Sequence, residues 1–206
     1  MMIQPLIFFG SLLCLIWPII RGLSFKQVRQ DIGWTCERPL PDVGTSFLSY
    51  FSALPLIVPA ALAVMLLVGL GSLFQEVSEF GSPATPSHPI EEYVANGNYV
   101  MIGLIFVAVS ICAPVVEETM FRGVLYRHLR DLTGKLGIWF SVLFSAIFNG
   151  FIFAACHPQG LFGIPVLMVL AFGFSMAREW RGSLLSPMLM HSAHNAFVTC
   201  IMLFFL

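Results

Sequence analysis

Charge is what this chain has least of. Of 206 residues only 10% are Asp, Glu, Lys or Arg, and the formal net charge is −1 at pH 7. No basic tract and no alternation of basic with aromatic residues occurs, so the footprint of a nucleic-acid-binding protein is missing and no nucleic-acid partner is expected. Cysteine pairing is missing too. Cys14, Cys36, Cys112, Cys156 and Cys200 are scattered, without a Cys-x-x-Cys spacing, which argues against a zinc site or disulfide framework and predicts buried thiols. The first twenty residues have neither a basic start nor a small-residue cleavage site, and Arg21 follows the apolar run, so that run is expected to stay as a transmembrane helix.

What is abundant is apolar surface. Hydrophobic residues make up 58% of the chain, twenty of them Phe, and the mean hydropathy is +0.88. Those values lie far outside the range of soluble domains and indicate an integral membrane protein. At about 20 apolar residues per crossing, six candidate spans emerge, approximately 2 to 20, 46 to 72, 98 to 126, 137 to 157, 161 to 178 and 184 to 205. The expected fold is all-α, a polytopic transmembrane helix bundle of about six spans with a polar cavity between helices. Two parts are expected: residues 1–97, with two spans, a cytoplasmic interfacial segment and an outer loop, and residues 98–206, carrying the chemistry.

The loops support that count. Basic loops (Arg21, Lys26, Arg29, Arg38; Arg127, Arg130, Lys135; Arg178, Arg181) alternate strictly with loops that hold no Lys or Arg. The positive-inside rule then puts the basic loops in the cytoplasm and the N-terminus outside. In "SFKQVRQDIGW", Phe25, Val28 and Ile32 recur at helical spacing beside basic residues. Such a segment reads as a short helix on the membrane interface, or as a solvated loop. "GSPATPSHPI", residues 81–90, reads as an irregular connection.

The third span carries three ionisable residues. A central charge costs roughly 2.5 to 3.5 kcal/mol on insertion scales, so such groups face the bundle interior and usually serve function. Glu118 and Arg122 are four apart with the acid on the N-terminal side, the favourable order for an ion pair. Glu117 points about 100° away and lacks that partner. An unpaired carboxylate among apolar side chains suits a group that takes a proton from water and later returns it. The same three residues also fit a structural network that ties helices together. Further along, Phe153 and His157 share a helix face, as do His191 and Asn195. Each has a plain structural explanation, a helix-end histidine or interhelical hydrogen bonding. Together they supply a base, imidazoles and a carboxamide, the groups a water-activating hydrolase needs. His194, next to Asn195, reads as a packing residue.

Glu-Glu-x-x-x-Arg at 117–122, Phe-x-x-x-His at 153–157 and His-x-x-x-Asn at 191–195, with "FRG" after the acids and "SP" before the last pair, resemble the CPBP (Abi) family, which includes the type II CAAX prenyl endopeptidases. The resemblance covers roughly residues 98–205. It implies an intramembrane endopeptidase acting on a membrane-associated or lipidated protein, with membrane lipid as its surroundings. By the same resemblance Glu117 and His157 activate water, His191 and Asn195 hold the oxyanion, and Glu118 and Arg122 shape the site. No cofactor is expected; a divalent metal on Glu117, His157 and His191 is the second reading. There is no His-Glu-x-x-His, no Gly-x-Ser-Gly and no pair of Asp within the spans, so site-2, rhomboid and presenilin-type chemistries lack their residues. The alternative is a non-catalytic immunity or scaffold protein, or a small proton-coupled transporter, although no internal repeat is visible.

One feature of the spacing conflicts with a shared site. Counted from the nearest basic residue at 1.5 Å per residue, Glu117 lies about 20 Å deep, His191 about 15 Å and His157 about 33 Å. A kink near Gly150, a helix starting later than residue 137 or a recessed outer end is expected to reconcile them.

Overall fold

The computed structural model describes residues 8–73, 98–157 and 159–205. Among the described residues seven helices follow one another: α1 (Phe8–Ile20), α2 (Phe25–Ile32), α3 (Pro39–Leu73), α4 (Tyr99–Leu136), α5 (Ile138–Ala155), α6 (Gly160–Arg181) and α7 (Leu185–Phe205). No strand occurs among the described residues. Five of these helices, α3 to α7, are long and apolar enough to cross a membrane, and α1 is a shorter apolar helix. The protein is thus an all-α polytopic bundle. The first expected span, 2 to 20, falls partly outside the described residues, as does the whole 81–90 connection.

Local sequence explains the breaks. Ser24 and Gln27 form a reciprocal capping box that starts α2, and Gly33, at φ 87°, ends it in the left-handed conformation that glycine adopts without strain. "SFKQVRQDI" is therefore a helix, not a loop. Val28 and Ile32 face inward, while Phe25 stays exposed. Residues 127–136, expected as a connection, continue the helix of the third span. Their basic side chains find partners there, Arg130 on Glu179 and Arg127 on Asp31, so nothing forces the helix to stop before Gly137.

Helix α6 is the centre, packing on α5, α3 and α7. Lipid tails are as apolar as Leu, so helices in a membrane associate through close packing rather than through exclusion from water. On α5, Ser145, Ala146, Asn149, Gly150, Phe153 and Ala154 are buried. A Cβ on Gly150 would already touch the Ala171 methyl at 3.4 Å, so α5 and α6 approach because both are small there. The opposite face of α5 is aromatic, with Phe140, Phe144 and Phe148 stacked at 5.7 Å spacings and exposed to the surroundings.

The same outward chemistry overturns the buried-thiol expectation. Cys14, Cys36, Cys156 and Cys200 are exposed and Cys112 is half-buried. In a bundle whose outer surface is itself apolar, membership of an apolar run does not place a side chain in the core.

Candidate active site

The site begins with an irregularity in α4. Over Ala108–Cys112 the helix widens to π geometry, and Ala113 N–H bonds to the carbonyl of Ala108, five residues back. The next donor in that register is Pro114, which has no N–H. The carbonyl of Val109 is therefore left free, and Asn195 Nδ2 donates to it across the helix interface at 2.9 Å. One proline thus creates the acceptor that positions a carboxamide on α7. A short α segment, Ala113–Glu118, presents both acids before a second π stretch at Thr119–Leu125; such bulges recur at functional sites. Thr119 is held there by its own bond to Val115 O and by the indole N–H of Trp34 at 2.8 Å.

The depth conflict resolves at both ends of α5. Arg130 reaches Ser141 Oγ, so the level of Arg130 on α4 corresponds to Ser141, and the first turn of α5 lies beyond it. The helix is unbroken through Gly150 and stops at Ala155. His157 then turns back, its Nδ1–H donating to Phe153 O at 2.7 Å. From Ser141 to Phe153 is about 18 Å of helix, close to the about 20 Å from Arg130 back to Glu117. Of the three expected solutions, the recessed outer end comes nearest.

Around the acids a buried network closes. Glu118 Oε1 accepts from Arg122 Nη1 at 3.0 Å and from His191 Nδ1 at 2.9 Å. Arg122 Nη2 donates to Ala171 O at 3.1 Å. Both Glu118 and Arg122 are 0% exposed. The guanidinium also sits over the rings of Phe153 at 4.6 Å and Phe174 at 5.0 Å, and these faces attract a cation most when it is desolvated. Phe174 in turn stacks on the His191 ring at 4.8 Å.

Glu117 has no such clamp. Its Oε2 lies 3.6 Å from His157 Nε2 and 3.7 Å from His191 Nε2. The atom is buried and makes no hydrogen bond among the described residues. A carbonyl can only accept, so His157 carries a proton on Nδ1; the Glu118 carboxylate imposes the same on His191. In their neutral forms both rings therefore aim a lone pair from Nε2 at Glu117. These groups, with Asn195, His194, Gln159 and Thr199, line a cavity of about 240 Å³.

All six site residues read from the sequence, Glu117, Glu118, Arg122, His157, His191 and Asn195, thus lie in one cluster. Sequence reasoning missed the contact of Glu118 with His191, the stacking Phe174 and the role of Pro114. It also missed Tyr50 of α3, whose hydroxyl is 3.2 Å from His194 Nδ1. The residue spacing within α3 carries no signal for that contact. Among the described residues no group of three or more His, Cys, Asp or Glu is spaced to hold a metal.

Residues 99–197 match the family model described as type II CAAX prenyl endopeptidase Rce1-like. This stretch is similar to an Rce1-like domain. It starts at the first residue of α4 and holds all six site residues read from the sequence, while Tyr50 and Thr199 reach the site from outside it. The membrane-embedded CAAX protease MroQ of Staphylococcus aureus (strain USA300) is 32% identical over 96 residues. That alignment spans 46% of this chain and 38% of MroQ, so the chain covers well under two thirds of that relative's length. No solved structure matches the chain.

Proposed function

We propose that the chain is an intramembrane endopeptidase that hydrolyses a peptide bond of a membrane-associated or lipidated protein, using water activated by Glu117. The observation that carries the reading is the position of Glu117 Oε2 between the Nε2 atoms of His157, at 3.6 Å, and His191, at 3.7 Å, at the wall of a polar cavity inside a membrane bundle. Both gaps are too long for direct hydrogen bonds and suit one bridging water.

In this mechanism Glu117 takes a proton from water while His157 orients it. The hydroxide oxygen bonds to the peptide carbonyl carbon, and the carbonyl π electrons move onto oxygen. The oxyanion accepts from His191 Nε2–H and from the Asn195 N–H that is not committed to Val109. Collapse breaks the C–N bond, and Glu117 returns its proton to the leaving amine. Only a protonated His191 can donate from Nε2, because its Nδ1–H is already given to Glu118.

The test compares the N-terminal peptides of membrane proteins in cells carrying the intact protein with those in cells carrying Glu117→Gln. Peptides present only with the intact protein are expected, at equal expression; unchanged peptides in the variant would falsify the mechanism. Repeating the assay with a divalent-metal chelator separates a metal held by Glu117, His157 and His191, which would abolish cleavage, from the metal-free route. Asn195→Ala distinguishes hydrolysis from a proton relay, since only the oxyanion hole needs the carboxamide.

A further inference from the structure

At the basic end of the bundle lies a second cavity of about 270 Å³. Arg122, Tyr126, Arg127, Arg130, Arg178 and Glu179 line it. The lining itself carries four arginines and one glutamate. Arg122 is paired with Glu118, Arg130 with Glu179 at 2.8 Å, and Arg127 with Asp31 at 3.2 Å and Asp131 at 3.8 Å. Arg178 has no ion-pair partner among the described residues; its Nη2 donates to the carbonyl of Ile32 at 3.3 Å, and its Nε is buried without a partner. Arg122 Nε is likewise buried and unpartnered, on a side chain that is 0% exposed.

This arrangement is built rather than incidental. Arg178 lies across Gly33, where an added Cβ would fall 2.6 Å from Nη2. Leu184 N–H bonds to Gly33 O at 2.8 Å, and Ser183 Oγ bonds to Thr35 O at 2.9 Å, locking the end of α2 against the end of α6. A guanidinium held there without a direct ion pair, its Nε unpartnered, bears a desolvation cost that an oxyanion would remove.

We propose that this cavity binds the phosphate group of an anionic phospholipid. The location favours a lipid over a free solute. Trp139 and Trp180 are 78% and 62% exposed at this same end, beside exposed Leu132, Leu136 and Ile138; aromatic side chains with a polar handle concentrate at headgroup level. Basic pockets between transmembrane helices at that level suit acidic headgroups. A zwitterionic headgroup would bring its own cation back beside Arg127. Arg122 also joins this cavity to the site around Glu117, because its Nη1 holds Glu118.

The test uses the purified full chain in nonionic detergent and reads thermal unfolding, so it does not depend on peptidase activity. Dioctanoyl phosphatidylglycerol is expected to raise the midpoint in a saturable way, and dioctanoyl phosphatidylcholine is not. Arg178→Gln should weaken the apparent affinity by about tenfold or more, with Arg178→Lys restoring most of it. Should Arg178→Gln fail to fold, Arg127→Gln at the half-exposed mouth replaces it and should also weaken binding. Equal shifts from both lipids, or an unchanged phosphatidylglycerol response in the foldable variant, overturn the site. A full shift from inorganic phosphate alone overturns the lipid as its source.

Discussion

Glu118 Oε1 holds two donors at once, Arg122 and His191, with no exposure to the surroundings. Half of that was legible. The spacing of four residues between Glu118 and Arg122 sets an ion pair on one helix face, because consecutive helical turns align them. The bond to His191 was not, since it spans 73 residues and depends on how α7 lies against α4. Substituting Glu118 tests both partners. Glu118→Gln keeps the shape but weakens the hold on His191 Nδ1. Losing a charge-assisted hydrogen bond, about 1.5–3 kcal/mol, should lower kcat roughly ten- to a hundredfold, with KM little changed because the side chain does not line the cavity. Glu118→Ala leaves Arg122 buried and unpaired. A loss of about 3–5 kcal/mol is expected, measurable as a fall in the unfolding midpoint.

At the scale of elements, α4 shows why helical periodicity was an incomplete guide. The wheel that placed Glu117 and Glu118 on different faces assumes 3.6 residues per turn, and the helix departs from that on both sides of the acids. Pro114 was visible in the sequence, yet its effect requires knowing that Ala113 bonds five residues back and that α7 lies close enough to use the freed carbonyl. Pro114→Ala should supply the missing N–H, satisfy Val109 O within α4 and release Asn195. The expected result is a rate loss like that of Asn195→Ala, with the double substitution little worse than either alone; additive losses in the cycle would show that the proline acts some other way. The α5–α6 contact is a parallel case. Ala146, Gly150 and Ala154 recur every four residues on α5, a stripe readable in sequence, but its partner on α6 is not.

For the whole molecule, we take the basic end as cytoplasmic and the His157 end as facing outward, following the loop alternation. Two exposed cysteines make this testable. Cys36 lies between α2 and α3 at the basic end, and Cys156 lies at the opposite end of α5. A membrane-impermeant maleimide should label Cys156 in intact cells and Cys36 only after permeabilisation; the reverse order would invert the topology. By itself the sequence determined that the chain is a membrane bundle and singled out the residues proposed to carry its chemistry. Lipid insertion selects composition over continuous runs of about 20 residues, and buried charge is too costly to occur there without a purpose. Only the tertiary structure decided how those residues meet. The recessed end of α5, the turn back of His157 and the carbonyl offered to Asn195 depend on contacts between helices distant in sequence, which no local pattern encodes.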